Sequence, residues 1–219
     1  MPISTVECCD CMDFMAKFPD KFFSLAIVDP PYRDNNQPTK DMRANGSMRS
    51  LEGRPPEKYW QELYRVSVNQ ITWGANNFQL PQFKGFVVWE KGIPENFTMS
   101  MAEIASLSEG LGTVSKIYKC RASGQSNRIH PTQKPVALYV WLLQNYAKPG
   151  DKILDTHMGS QSSRIAAYQM GFDFWGCEID PEYFEQGCKR FEKETGQLAL
   201  FTPETTTEEQ NKLFKEGYP

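Results

Sequence analysis

The feature that most constrains this chain is a double proline directly after a short apolar run. Residues Leu25 to Val28 are all apolar, which predicts a buried strand of a parallel sheet. The next four residues are Asp29-Pro30-Pro31-Tyr32. Proline fixes φ at about −65° and has no N–H, and a residue that precedes a proline is driven towards extended conformations. The strand therefore ends in a stiff corner that presents a carboxylate, carbonyl groups and an aromatic ring, but few N–H donors.

This corner favours one ligand chemistry. In an open α/β sheet, ligands bind beyond the carboxyl ends of the strands. Here Asp29 and the Pro30 carbonyl offer hydrogen-bond acceptors, and Tyr32 offers a ring for stacking. A flat ring that carries an exocyclic amine, such as adenine or cytosine, matches these groups.

Apolar runs of strand length alternate with helical patterns along the chain. Strands are predicted at 4–9, 22–28, 70–73, 86–89, 114–121, 152–154 and 172–177, and helices at 12–18, 57–66, 136–146, 163–170 and 181–194. Residues 99–108 have a mixed pattern. The alternation predicts an α/β fold with a mostly parallel sheet and helices on both faces.

Length and composition indicate one domain of an ordinary globular protein. The chain has 219 residues, 40% of them hydrophobic and 23% charged. It shows no signal peptide and no apolar run long enough for a membrane span, so we expect no membrane partner and a cytoplasmic location. The six cysteines are then expected to be reduced thiols. Because Cys8, Cys9 and Cys11 lack metal-ligand spacing, we expect no metal site.

The net charge of −3 argues against a purely electrostatic nucleic-acid binder. The charge is unevenly distributed, however, because no Asp or Glu occurs between Gly110 and Gly150. Candidate phosphate contacts lie in this segment and in a long polar loop at 33–56, which we interpret as a mobile flap: Arg33, Lys40, Arg43, Lys116, Lys119, Arg121 and Arg128. A solvated surface without a ligand is the alternative for the basic segment.

A second strand end, at 155–163, predicts a nucleoside pocket. Gly159 permits a close backbone approach, the small Ser160 keeps the turn open, and Glu178 ends the next strand, where an acid accepts hydrogen bonds from a ribose diol. A dinucleotide would require more glycines than Gly159 alone. Asp155 would repel a pyrophosphate but attract an α-amino group, which favours S-adenosylmethionine. An ordinary turn with incidental acids remains the alternative at this point.

Together these residues resemble the β-group of amino-methylating DNA methyltransferases. The matching segments are the catalytic D/N/S-P-P-Y/F motif at Asp29 to Tyr32, H-P-T-Q-K-P at His130 to Pro135, D-P-F-x-G-S-G at Asp155 to Gln161, G-x-E-x-D-x-x-Y-F at Gly176 to Phe184, and the pair Asp10-Cys11. The resemblance covers about residues 3 to 200 and implies a circularly permuted, Rossmann-like methyltransferase fold. Two departures stand out: Thr156-His157 replaces Pro-Phe, and Gln161 replaces the second Gly.

The resemblance also implies roles for individual residues. Asp29, Pro30 and Tyr32 are expected to be catalytic. The cofactor S-adenosylmethionine is expected to contact Asp10, Cys11, Asp29, Lys134, Asp155, His157, Gly159, Ser160, Gln161 and Glu178. Lys134 has a second interpretation as a phosphate contact. The partner is expected to be double-stranded DNA, with a homodimer possible and a bacterial or phage source.

In this interpretation the domain spans 1–200. It comprises a catalytic half at 1–91, a small basic recognition segment at 92–129 and a cofactor half at 130–200. An acidic tail at 201–219 is expected to be loosely attached. Asp at position 29 favours adenine N6 as the methyl acceptor. The alternatives are cytosine N4, an amine or amide of RNA or protein, and a nucleic-acid or S-adenosylmethionine binder without activity.

Overall fold

A computed structural model describes residues 1–32, 35–36, 51–121 and 128–200. The strands are β1 (Ser4–Cys8), β2 (Phe23–Val28), β3 (Asn35–Asn36), β4 (Leu51–Glu52), β5 (Ser67–Trp73), β6 (Phe86–Glu90), β7 (Ala102–Leu107), β8 (Lys116–Lys119), β9 (Lys152–Asp155) and β10 (Asp173–Glu178). The α-helices are α1 (Cys11–Met15), α2 (Glu57–Val66), α3 (Val136–Tyr146), α4 (Ser162–Gln169) and α5 (Pro181–Leu200). In the same residues, no helix is long and apolar enough to cross a membrane.

Eight of the strands form one sheet in the order β1-β10-β9-β2-β5-β7-β6-β8, and β3 pairs separately with β4. Within the described part of this sheet, β7 is the strand that runs antiparallel to its neighbours β5 and β6, and the other pairings are parallel. The predicted α/β fold with a mostly parallel sheet is therefore confirmed. The strand that carries the proline corner precedes β9 and β10 in the chain, as the permuted order requires.

Helices cover both faces of the sheet because the central strands are apolar on both sides. In β2, Leu25 and Ile27 pack in one core, together with α3 and α4. The alternate residues Ala26 and Val28 pack in the second core, together with α1 and α2. The predicted bounds of α2 and α3 are confirmed at both ends.

The mixed segment at 99–108 is the main difference from the sequence prediction, because it contains the regular strand β7. The strand includes Glu103, a charged side chain only 20% exposed, which ion pairs with Lys91 and Lys134 stabilise in this position. Helix α5 also continues to Leu200, beyond the predicted end at residue 194. The predicted tail and most of the long polar loop lie outside the described residues.

Candidate active site

The sheet has a switch point between β2 and β9. These strands are parallel neighbours. The chain continues from β9 to β10 on one side and from β2 to β5 on the other. Loops that leave adjacent carboxyl ends in opposite directions open a crevice, which is where ligands bind in such sheets. A cavity of about 720 Å³ lies there, lined by residues from both halves of the chain, among them Asp10, Cys11, Asp29, Pro30, Tyr32, Lys134, His157, Gly159, Ser160 and Glu178.

The proline corner holds its carboxylate through two donors. The Tyr32 hydroxyl donates to Oδ1 of Asp29 at 2.6 Å, and the ammonium of Lys134 pairs with Oδ2. Burial and the charge of Asp29 raise the pKa of Tyr32 well above its ordinary value, so the hydroxyl remains a donor. The Tyr32 ring lies against Gly74, where a Cβ would be 2.2 Å from Cε1 of the ring. With φ at +68°, Gly74 is required for both its conformation and this contact.

Lys134 connects the corner to a second acid. Its ammonium also lies 3.1 Å from Oε2 of Glu103, whose other oxygen pairs with Lys91. Burial opposes ionisation of Glu103, but Lys134 and Lys91 outweigh it and lower the pKa to about 2. Burial likewise opposes the charge of Lys134, but Asp29 and Glu103 outweigh it and raise the pKa. Glu103 and Lys134 are therefore both charged at neutral pH.

Glu178 forms the opposite wall of the cavity, at the end of β10. Its Oε2 accepts from the Gly159 N–H at 2.8 Å, and its Oε1 accepts from the Asp180 N–H at 3.0 Å. Burial raises the pKa of Glu178 above its ordinary value. Because both oxygens are fixed by backbone donors, the carboxylate keeps one orientation towards the cavity and has lone pairs left for a ligand.

Asp155 does not line the cavity, although it ends the central strand β9. It is 1% exposed, with Oδ1 accepting from the His157 N–H at 3.0 Å and Oδ2 accepting from the Ser163 hydroxyl at 2.5 Å. Burial raises its pKa to about 7. In this structure both carboxylate oxygens of Asp155 accept hydrogen bonds from the turn and the first residues of α4, and these bonds fix the turn.

Tyr59 of α2 contacts both Thr156 and His157, the residues that replace Pro-Phe in the motif. The Thr156 hydroxyl lies 2.9 Å from Nδ1 of His157 and 2.7 Å from the buried hydroxyl of Tyr59. The His157 ring packs edge-on against Tyr59, with centroids 5.3 Å apart. Burial lowers the pKa of His157 to about 4, so the imidazole is neutral at pH 7. A neutral ring fixed in the cavity wall can perform the packing role of the usual Phe.

The side chain of Gln161, which replaces the second Gly of the motif, points away from the cavity. The residue has a left-handed conformation with φ at +60°, which explains why glycine is usual there. Its Nε2 donates to the Phe184 carbonyl at 3.2 Å, and its Oε1 accepts from Arg164 at 2.8 Å. The side chain occupies space left by Gly187 of α5, where a Cβ would lie 2.7 Å from Cγ of Gln161. Gln161 therefore leaves the ligand space open.

The remaining predicted cofactor contacts, Asp10 and Cys11, line the cavity at the start of α1. Asp10 caps this helix by accepting from the Met12 N–H at 2.7 Å. Burial raises the pKa of Cys11 to about 12, so it remains a thiol. In the described residues, no group of three acidic, His or Cys side chains is placed to bind a metal ion.

The structure separates the predicted phosphate contacts. Lys119, Arg121 and Arg128 lie on the carboxyl side of the sheet, where Lys119 is 75% exposed and pairs with Glu90. Arg128 donates to the Pro131 carbonyl at 2.7 Å. Lys116 lies at the amino end of β8, on the side opposite the cavity, and bonds Asn145. The predicted contacts Arg33, Lys40 and Arg43 lie outside the described residues.

Several residues at the site were not among the predicted contacts. Tyr59 on α2 and Glu103 on β7 line the cavity, and Lys91 follows β6 at the same edge. Arg54, at the end of the long loop, also lines it. The signal for Lys91 was available, because it lies two residues beyond the end of a predicted strand. No sequence signal identified Tyr59, since it is spaced like any buried residue of an amphipathic helix.

Comparisons with known proteins agree with this geometry. The family model described as "DNA methylase", of the N6/N4 methyltransferase type, matches residues 17–189. A curated relative named "Putative methylase YubD", from Escherichia coli (strain K12), is 27% identical over 206 residues, covering 83% of this chain and 87% of the relative.

Two solved structures share the fold. The M1.HpyAVI–SAM complex has a TM-score of 0.59 at 19% identity, with 86% of this chain and 98% of the other covered. The cytosine-N4-specific PvuII DNA methyltransferase has a TM-score of 0.61 at 12% identity, with coverages of 95% and 90%.

A first prediction concerns Asp155→Asn. Burial raises the folded-state pKa of Asp155 from 3.8 to about 7. Between these values the folded chain keeps the proton and the unfolded chain releases it, so the stability of the parent protein falls as pH rises. Asparagine does not titrate. From pH 5 to pH 8, the free energy of unfolding of the parent should therefore fall by more than about 1 kcal/mol relative to the variant. Urea unfolding at each pH measures this, and parallel pH curves would contradict it.

A second prediction concerns Gly187→Ala. Alanine normally stabilises a helix over glycine by about 0.5–1 kcal/mol, and we expect that gain for Gly196→Ala, where nothing lies within 4 Å. At Gly187 the new Cβ meets Gln161, so we expect a loss of about 1–3 kcal/mol in urea unfolding. In a Gln161→Gly background the clash is gone and the same substitution should become stabilising. A loss of equal size in both backgrounds would refute the packing of Gln161 against Gly187.

Proposed function

The chain belongs to the N6/N4 DNA methylase family, and we propose on this basis that it transfers a methyl group from S-adenosylmethionine to the N6 amine of adenine in double-stranded DNA. The observation that carries the proposal is the proline corner at the switch point. There Asp29 and Pro30 line the same cavity as Glu178. The family covers amino methylation of adenine and cytosine, and the choice of adenine rests on Asp at position 29.

The exocyclic amine of adenine needs acceptors rather than a nucleophilic side chain. Its lone pair is delocalised into the ring, and hydrogen bonds accepted from both N–H groups localise that pair on nitrogen. Asp29 would accept one N–H and the Pro30 carbonyl the other. Although Tyr32 and Lys134 already bond Asp29, each carboxylate oxygen has a second lone pair available. Such acceptors, aimed before the reaction, stabilise the positive charge that develops on the amine.

The residues of the cavity fit S-adenosylmethionine. The volume of about 720 Å³ lies within the usual range for a small-molecule site. Glu178, fixed by two backbone donors, suits the ribose hydroxyls, while Asp10 and Cys11 at the start of α1 suit the adenine end. When bound, S-adenosylmethionine supplies an electrophilic methyl group on a sulfonium. Asp155 would act by holding the turn of Gly159 and Ser160 in place rather than by direct contact.

The DNA base must leave the duplex to reach the corner, because the amine is paired inside the double helix. Tyr32 would stack on the flipped base, a contact worth about 1–3 kcal/mol. Arg54, Lys119 and Arg121 lie on the same side of the sheet and are exposed, so they can contact the phosphate backbone. A basic rim on an acidic protein gives binding that weakens with salt. Because a relative comes from Escherichia coli, we expect this chain to act on bacterial or phage DNA.

Cytosine N4 methylation is the second candidate, because the PvuII enzyme shares the fold and cytosine offers the same type of amine. The packing of His157 and Gln161, the two departures from the motif, argues against a binder without activity. His157 is a neutral ring held by Thr156 and Tyr59, and Gln161 is turned away from the cavity.

The test is methyl incorporation into duplex DNA followed by mass spectrometry of the nucleosides. We expect N6-methyladenine, while N4-methylcytosine would select the second candidate. Asp29→Ala should lower incorporation by about 10³-fold or more, because the acceptor is lost. Its affinity for S-adenosylmethionine, measured by calorimetry, should change by less than about fivefold, since the other cavity contacts remain. Asp20→Ala, at a carboxylate that is 78% exposed, is the matched control and should have parental activity. Full activity of Asp29→Ala would refute the proposed chemistry.

A further inference from the structure

Four charged side chains form a continuous row behind the proline corner. Lys91 pairs with Oε1 of Glu103, Oε2 of Glu103 lies 3.1 Å from the Lys134 ammonium, and Lys134 pairs with Asp29. The Tyr32 hydroxyl bonds Asp29 at 2.6 Å and lies 3.4 Å from Glu103. Positive and negative groups alternate along this row, and their formal charges sum to zero.

The row is poorly accessible to water. The side chains of Lys134, Lys91, Asp29 and Glu103 are 3%, 13%, 15% and 20% exposed. Solvent therefore screens their charges only partly, and each group acts on its neighbours through a lower effective dielectric. A buried charge that loses its partner is costly, so the position of Lys134 depends on both of its carboxylates.

We propose that Glu103 is a positioning residue for methyl transfer: its carboxylate holds the Lys134 ammonium between two acids and keeps the charge behind Asp29 at zero. The inference rests on the proposed function. It assigns a role to a residue on β7, the antiparallel strand, which the catalytic motifs do not include. Because β7 runs antiparallel to β5, its first residues, including Glu103, lie at the edge where β2 ends.

The chemistry explains why this charge matters. When bound, S-adenosylmethionine would supply a cationic sulfonium, and methyl transfer would leave S-adenosylhomocysteine and a cationic amine that then loses a proton to solvent. Asp29 would therefore have positive charge near it both before and after the transfer. Without the charge of Glu103, the row would carry a net charge of +1 beside that positive charge. Lys134 would then be bound to Asp29 alone, and its full charge would weaken the carboxylate as an acceptor for the amine. Glu103 contacts neither reacting group in this role, and it acts through Lys134.

Glu103 is not expected to exchange a proton in the cycle. Although burial opposes its ionisation, the two lysines lower its pKa to about 2, so it remains a carboxylate at any working pH. Its effect on turnover should therefore be constant between pH 6 and pH 9. A general base would instead add a pH-dependent limb to the rate profile.

The experiment uses the full chain with Glu103→Gln, which keeps the shape of the side chain but removes its charge. We expect kcat to fall by about tenfold or more, with the KM for DNA changed by less than about threefold. Glu62→Gln is the matched control, because Glu62 also pairs with a cation and is 25% exposed, but it lies on α2 away from the cavity. Glu62→Gln should leave kcat and the KM for DNA unchanged.

A second variant separates charge from structure. Lys91→Gln combined with Glu103→Gln restores a net charge of zero but leaves Lys134 paired with Asp29 alone, so the double variant should recover only part of the kcat that Glu103→Gln loses. Glu103→Asp, which retains the charge, should lose less than Glu103→Gln. A structural role predicts instead that the double variant is worse than either single one. That result, or parental kcat in Glu103→Gln, would overturn the proposal.

Ligand binding provides a readout that does not require turnover. S-adenosylmethionine carries the sulfonium charge, whereas S-adenosylhomocysteine lacks it. In calorimetry, Glu103→Gln should therefore weaken the binding of S-adenosylmethionine more than that of S-adenosylhomocysteine. The dissociation constant for S-adenosylmethionine divided by that for S-adenosylhomocysteine should rise by about threefold or more, and an unchanged ratio would count against the proposal. If the parent binds S-adenosylmethionine but methylates no DNA, the proposed function fails while this ratio still decides the electrostatic role. If the parent methylates DNA and Glu103→Gln behaves like the parent, only the role of Glu103 fails.

Discussion

The buried ammonium of Lys134 is the interaction on which the site depends. It is shared between Asp29 at the end of β2 and Glu103 at the start of β7, and it belongs to the segment that leads into α3. One cation thus joins three parts of the chain, and Lys134 lies 105 positions after Asp29. Because an unpaired buried charge is strongly destabilising, the three parts can hardly move independently. The acceptor corner is therefore oriented before any ligand arrives.

Two acids on the cofactor side of the cavity have different structural roles. Asp155 and Glu178 end adjacent strands, yet they have different surroundings. Asp155 is enclosed by the Ser163 hydroxyl and the His157 N–H and stabilises the turn, whereas Glu178 is held by two backbone N–H groups and lines the cavity. One acid shapes the wall and the other remains available to a ligand.

Departures from the motif in the turn after β9 can be compensated by residues outside the turn. His157 obtains partners from Thr156 and from Tyr59 of α2, and Gln161 obtains space from Gly187 of α5. Tyr59 and Gly187 both lie far from the turn in sequence. A departure from a motif thus has to be judged together with the helices that pack against the turn.

The sequence by itself determined the α/β class, the proline corner, the bounds of α2 and α3, and ten of the residues that line the cavity, because apolar periodicity and proline geometry are local properties. Tertiary structure decided which acid faces the cavity, where Gln161 points and that Glu103 belongs to the site. These depend on contacts between distant segments: the antiparallel course of β7 brings Glu103 to the carboxyl edge, and two lysines stabilise a charge that looked out of place in an apolar strand. Burial and pairing are properties of the assembled fold, and a linear pattern does not encode them residue by residue.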